Sequence, residues 1–237
     1  MLQYTFERHE KKFLLSGEQY RRLMSIIGER LAQDAYGRST VLSLYLDTPD
    51  RRLIRASLEK PTYKEKLRVR SYGVPKMDDT VFVELKKKYR GVVYKRRVCL
   101  PLRDARAWVL DGRRAQDGQI DREIDYALHY YPGIAPAMFI SAERVAYVAA
   151  DDPLLRLTFD SRILYRREAL SLEEGAWGKA LLSPGERLLE VKTPCAIPLW
   201  LADALDRCRA YPTSFSKYGG AYQSGVIGET KGEMACV

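Results

Sequence analysis

The sequence predicts an α+β protein built on a closed antiparallel β-barrel with peripheral helices. Three observations lead there. Long stretches alternate apolar and polar residues at the period of a strand. The helical stretches are few and do not alternate regularly with the strands, which disfavours a doubly wound parallel sheet. The polar faces of the strands are nearly all Lys, Arg and Glu, and a sheet with one apolar and one charged face closes naturally into a barrel with a polar lumen.

Taken in order, residues 4–15 alternate and read as a strand. Ser16-Gly17-Glu18-Gln19 is a capping-box pattern, and Tyr20, Leu23, Met24, Ile27 and Leu31 follow at helical spacing. Residues 40–47 read as a strand and 50–59 as a short helix. Residues 62–72, 80–89 and 91–100 alternate as three strands, joined by loops bearing Gly73, Pro75 and Gly91. Residues 103–111 and 119–130 read as helices, the second ended by Pro132 and Gly133. Residues 137–149, 154–160, 162–168 and 186–193 return to strand patterns, and 198–209 form an amphipathic helix opening at Pro198. The Gly-rich stretch 223–237 reads as a loose tail behind a single domain over 1–222.

Composition bounds the function. Of 237 residues, 46% are hydrophobic, enough for a core, and Lys plus Arg exceed Asp plus Glu by 40 to 31, a formal charge of +9. That balance favours polyanionic partners: phosphates, nucleic acid or an anionic membrane surface. The stretch from Met1 has no apolar h-region, and no segment approaches the length of a membrane span. Cys99, Cys195, Cys208 and Cys236 form no C-x-x-C pair and only His9 and His129 accompany them, so a structural zinc site is not expected. A cytoplasmic protein with reduced thiols is the natural reading.

The charged stripes carry the functional signal. In a strand, residues i, i+2 and i+4 share a face. Arg8, Glu10 and Lys12 align in the first strand; Lys64, Lys66, Arg68 and Arg70 align in 62–72; Glu84, Lys86 and Lys88 align in 80–89. Arg156, Thr158 and Asp160 align in 154–160, and Glu190 with Lys192 in 186–193. In 91–100, Lys95 and Arg97 share one face and Arg96 takes the other; the sequence leaves open which of them is luminal. An ordinary sheet with its charged face in water explains any one stripe. Five stripes of one composition fit it less well. Turned inward, the cations would repel unless an anion lay among them. A phosphate chain meets that need through charge-assisted hydrogen bonds. The few carboxylates fit as ligands of Mg²⁺ or Mn²⁺, which take oxygen donors and bridge to phosphate.

Arg8-x-Glu10-x-Lys12-Phe13, Arg68-Val69-Arg70, Glu84-Leu85-Lys86, Arg144, Arg156 with Asp160, Glu190-Val191-Lys192 and Ser216-Lys217-Tyr218 occur in an order that resembles the VTC domain, over residues 4–222. That domain is the polyphosphate polymerase of the vacuolar transporter chaperone complex. It belongs to the triphosphate tunnel metalloenzymes, with CYTH-type adenylate cyclases, thiamine triphosphatases, tripolyphosphatases and RNA triphosphatases. The resemblance implies an antiparallel tunnel of about eight strands. It implies phosphate contacts by Lys12, Lys66, Arg68, Arg70, Lys86, Arg144, Arg156, Lys192, Ser216 and Lys217, and metal ligation by Glu190 with Glu10. Glu190, Lys12, Arg68, Arg70 and Lys86 would form the catalytic set.

The expected reaction is metal-dependent transfer of the ATP γ-phosphate to a growing polyphosphate chain. Hydrolysis of tripolyphosphate or a nucleoside triphosphate, with water as acceptor, is the alternative, and Glu10 keeps the acidic pattern of the hydrolytic relatives. A non-catalytic polyphosphate-binding module is a third reading, against which Glu190 argues, since binding alone needs no acid there. Nucleic acid is not an expected partner: no RNA- or DNA-binding motif accompanies the charge. No Walker A motif is present. The eukaryotic polymerases carry an SPX domain and, in their complex, membrane helices; this sequence shows neither.

Overall fold

The computed structural model describes residues 9–59, 61–90 and 92–233; Tyr4 and Arg8 of the first predicted strand lie outside them. The strands are β1 (His9–Leu15), β2 (Leu31–Asp47), β3 (Tyr63–Tyr72), β4 (Thr80–Tyr89), β5 (Val92–Pro101), β6 (Ala135–Ala149), β7 (Arg156–Arg166), β8 (Lys179–Ala180) and β9 (Arg187–Thr193). The helices are α1 (Gly17–Ile27), α2 (Arg52–Leu58), α3 (Leu102–Asp111), α4 (Gln119–Tyr130), α5 (Leu199–Arg207) and α6 (Lys217–Glu233). Strand pairing follows the order β1-β9-β7-β6-β2-β3-β4-β5, with β8 on β7. The β1–β9, β7–β9, β7–β8, β2–β3, β3–β4 and β4–β5 ladders are antiparallel. The fold is therefore a sheet-dominated α+β fold. Among the described residues no ladder joins β1 to β5, the two ends of the path, so hydrogen bonding does not close the sheet there.

The chain forms two compact units. The first takes Met1–Ser39, Ala142–Ile163 and Leu182–Phe215; the second takes Thr40–Ser141, Leu164–Leu181 and Ser216–Val237. In the first, the apolar faces of β1, β7 and β9 (Phe13 and Leu15; Leu157 and Phe159; Leu189 and Val191) pack with Leu23 and Ile27 of α1 and Leu201 and Leu205 of α5. Helix α1 starts where the sequence predicts: Ser16 Oγ accepts from the Gln19 amide and Gln19 Oε1 accepts from the Ser16 amide. In the second, Leu42, Leu44 and Leu46 of β2, Leu67 and Val69 of β3, and Val81, Val83 and Leu85 of β4 pack with Trp108 of α3 and Ile124 of α4. Full burial of each such side chain is worth about 1.5–3 kcal/mol. In both units the apolar faces are spent on the core, which leaves the charged faces on the other side of the same strands.

Three elements differ from expectation. β2 is longer than the predicted 40–47, beginning at Leu31, because its polar first half is extended without an alternating pattern. Residues predicted as two strands, 154–160 and 162–168, form the single β7, and the left-handed Arg162 (φ 45°) sits within it without ending it. The stretch from Gln223, expected as a tail, is helical to Glu233. No helix of the described residues is long and apolar enough to cross a membrane.

Candidate anion- and metal-binding site

The charged faces gather into one cluster in each unit. In the second unit the antiparallel register of β3, β4 and β5 builds it row by row. Lys66 lies opposite Lys86 and Lys86 opposite Lys95; next to them, Arg68 lies opposite Glu84 and Glu84 opposite Arg97. Like charges directly opposite on a sheet are destabilising by themselves. A row of three lysines across adjacent strands is thus a costly choice for a fold and a useful one for holding an anion.

Glu84 organises the cations. Its side chain is 2% exposed and meets Arg68 Nη2 at 2.7 Å, Arg97 Nη2 at 2.6 Å and Lys95 Nζ at 2.6 Å, with Arg70 Nε at 3.9 Å. Burial alone would raise its pKa, but Arg68, Arg70 and Lys95 hold the carboxyl well below the usual range. One carboxylate thus anchors four cations and leaves them with a net positive charge. Their heads are held by packing and hydrogen bonds, so little reorganisation is needed on anion binding. Lys95 and Arg97 lie on the Glu84 face of the sheet, and Arg96 turns the other way and pairs with Glu123 at 2.7 Å.

The first turn of α6 joins this cluster. Lys66 Nζ donates to Ser216 Oγ at 2.9 Å, and Ser216 Oγ also accepts from the Gly219 amide at 3.1 Å. Tyr218 fixes the turn by donating to Asp47 Oδ2 at 2.8 Å. The same buried Asp47 accepts from the Leu53 and Ile54 amides and so caps α2. Ser216 and Lys217 are therefore presented from a helix start held by a buried carboxylate.

In the first unit the rows run across β1, β9 and β7. Glu10 lies opposite Lys192 and Lys192 opposite Arg156; Lys12 lies opposite Glu190 and Glu190 opposite Thr158. Lys12 Nζ is 3.2 Å from Glu10 and 3.8 Å from Glu190, and Lys192 Nζ is 3.5 Å from Glu190. Lys12 also donates to the Phe215 carbonyl at 2.9 Å. Arg144 makes a two-toothed pair with the fully buried Asp160, both contacts at 2.7 Å, and Arg156 meets Asp34 at 2.8 Å.

The donors here suit a divalent cation. Glu10 and Glu190 both approach Lys12, so their oxygens converge on a region where positive charge is already favourable. Beside Glu190, the buried Thr158 hydroxyl has no hydrogen-bond partner among the described residues. Such an orphaned polar atom fits a site whose remaining contacts come from a ligand or ordered water. No group of three or more His, Cys, Asp or Glu residues gathers for a metal among the described residues. Glu10 and Glu190 would give a Mg²⁺-type ion two carboxylates and leave its remaining positions to phosphate and water, without an all-protein cage.

The predicted site residues divide between the two units. Lys12, Glu10, Arg144, Arg156, Glu190 and Lys192 are in the first unit, and Lys66, Arg68, Arg70, Lys86, Ser216 and Lys217 in the second. Sequence reasoning placed Glu84 on its stripe and missed its role as the hub, which only β5 alongside β4 reveals. It also passed over Tyr45, whose hydroxyl accepts from Arg68 Nη1 at 3.0 Å. Ser43, Tyr45 and Asp47 alternate along β2, and that polar spacing was the available signal.

The fold is an antiparallel α+β sheet whose charged faces carry cation-rich clusters with a few built-in carboxylates. Three solved structures share the fold. A candidate adenylyl cyclase from Hippeastrum, described as revealing a dominant triphosphatase activity, superposes with a TM-score of 0.58 at 15% identity, over 92% of this chain and 96% of its own. A candidate adenylate cyclase from Bacillus halodurans gives 0.54 at 14% identity, over 87% and 92%. Another from Vibrio parahaemolyticus gives 0.52 at 10%, over 93% and 99%. No curated protein matches the chain in sequence. The VTC domain family model matches residues 7–226, and the chain belongs to that family.

Proposed function

We propose that the protein is a metal-dependent polyphosphate polymerase that transfers the ATP γ-phosphate to a growing polyphosphate chain. The observation that carries this is the Lys66–Lys86–Lys95 row beside the Glu84 hub: an array of cations whose repulsion a chain of phosphates would relieve. The reading takes residues 1–222 as one functional domain and requires the sheet to close around the phosphate chain. ATP as donor makes the cytoplasm the natural setting.

The reaction is a displacement at phosphorus. An oxygen of the chain's terminal phosphate attacks the γ-phosphorus, a new P–O bond forms, the bond to the β-phosphate oxygen breaks, and ADP leaves. Phosphoryl transfer of this kind needs positioning and charge neutralisation more than covalent help. Arg68 and Arg70, held by Glu84, and Lys66, Lys86 and Lys217 supply oriented donors for the phosphate oxygens. Lys12, Arg144, Arg156 and Lys192 supply the same in the first unit. Glu190 with Glu10 would hold Mn²⁺ or Mg²⁺, which when bound neutralises charge on the reacting phosphates.

Hydrolysis of tripolyphosphate or a nucleoside triphosphate would use the same residues with water as acceptor, and Glu10 beside Lys12 favours keeping that reading. Chromatography of the products of ATP with Mn²⁺ separates the two. Long chains with stoichiometric ADP support the polymerase; orthophosphate alone replaces it with a hydrolase; no turnover under any divalent metal reduces the protein to a binding module.

A further inference from the structure

Tyr45 lies in β2 at the edge of the Glu84 cluster and is not among the residues the proposed reaction uses. It is 7% exposed. Its ring stacks on Tyr218 with centroids 4.7 Å apart. Its oxygen accepts from Arg68 Nη1 at 3.0 Å. Among the described residues its hydroxyl hydrogen meets no acceptor. A buried phenol whose oxygen accepts from a guanidinium still has its own O–H to give. The natural complement of its O–H is an oxygen that arrives with a ligand, and the surrounding charge says the oxygen is anionic.

We propose that Tyr45 is a phosphate-contacting residue, its hydroxyl donating to an oxygen of the phosphate chain that Lys66, Arg68, Arg70 and Lys217 attract, so that only the protonated phenol binds productively. The inference deepens the phosphate-binding reading and rests on it.

The charges around the phenol support it. On β3 it faces Lys66, Arg68 and Arg70, and on α6 Lys217, with the neutral Tyr218 stacked beside it. Glu84 of β4 reaches it only through Arg68. Asp47, two residues on in β2, is engaged by Tyr218 and by the amides of α2. Residues 135–141 of β6 carry no titratable side chain. Burial would raise the phenol's pKa, yet Arg68, Lys66, Arg70 and Lys217 outweigh it and bring it down to about 8. Without ligand, phenolate is therefore accessible just above neutral pH. With phosphate bound, the added negative charge favours the neutral phenol. Binding above that pH must then take up a proton, and affinity must fall as pH rises.

The test is tripolyphosphate binding by calorimetry at pH 7 and pH 9, with tyrosinate absorbance followed in parallel, on the parent protein and Tyr45→Phe. The parent should show a tyrosinate step near the pKa of about 8 that Tyr45→Phe lacks, and saturating tripolyphosphate should move that step upward. Parent affinity should fall about tenfold from pH 7 to pH 9, while Tyr45→Phe binds more weakly at pH 7 and changes less with pH. Equal affinities and equal pH profiles for the two proteins would overturn the role of Tyr45 and leave phosphate binding standing. A folded parent that binds no tripolyphosphate at either pH would overturn phosphate binding and this inference with it.

Discussion

Replacing Glu84 by Gln removes one negative charge and keeps the shape of the side chain. Breaking a buried ion pair by deleting one partner typically costs about 3–5 kcal/mol, because the other charge is left uncompensated. The Arg68 contact is of that kind, with side chains 19% and 2% exposed. Lys95 is 43% exposed, so solvent screens its contact and it adds under about 1 kcal/mol. Gln still accepts one guanidinium hydrogen bond and recovers part of the loss. The expected cost is about 3 kcal/mol, read as a lower urea midpoint with an unchanged slope. Its pH dependence has a definite sign. The folded-state pKa of Glu84 is depressed, so its contribution is present above the unfolded carboxyl value and is lost as pH falls toward the folded one. The gap between parent and Glu84→Gln should be widest from about pH 5 upward and narrow below about pH 4. Tripolyphosphate should restore more stability to the variant than to the parent, since it supplies the missing negative charge. A loss below about 1 kcal/mol, with no larger response to tripolyphosphate, would refute the claim that Glu84 holds the cation cluster together.

Other substitutions separate binding, stability and chemistry. Lys217→Ala should lose about tenfold to a hundredfold in tripolyphosphate affinity at an unchanged urea midpoint, since a charged hydrogen bond is worth about 1.5–3 kcal/mol; equal binding by calorimetry would remove Lys217 from the site. Asp160→Asn removes the charged partner of Arg144 and should cost about 3 kcal/mol in denaturant unfolding without ligand, part of which tripolyphosphate should restore; a loss below about 1 kcal/mol would show that the pair does not hold Arg144. Glu190→Gln should keep the fold and metal-free triphosphate binding but lose most metal-dependent turnover; parental ATP turnover at limiting Mn²⁺ would show that Glu190 is not a metal ligand.

Much of this was legible in sequence because strand alternation reports a face directly. Lys64, Lys66, Arg68 and Arg70 share a face by spacing alone, and β3 bears that out with Leu67 and Val69 buried in the core on the other side. The Ser16 capping box was equally readable, being a local pattern. What spacing omits is the neighbour. That Lys95 and Arg97, and not Arg96, accompany Glu84 follows from the β4–β5 register, which no single-strand pattern contains. The first half of β2 was missed because Leu31–Ser39 lacks alternation and its extension comes from pairing. β7 was split in two because Ser161 and Arg162 interrupt the apolar pattern while the strand continues. Tyr45 falls inside the predicted strand 40–47, and its significance lies in cations brought to it from β3 and α6.

Calorimetric titration of the parent protein with tripolyphosphate, without metal and at low and high salt, addresses phosphate recognition directly. Saturable binding is expected that weakens with salt, because the contacts are ionic and partly exposed. It should be lost when Lys66 and Lys86 are replaced together by Ala in a protein that remains folded. Absence of binding at millimolar tripolyphosphate by the folded parent, or undiminished binding by the double variant, would contradict the assignment of these rows to phosphate.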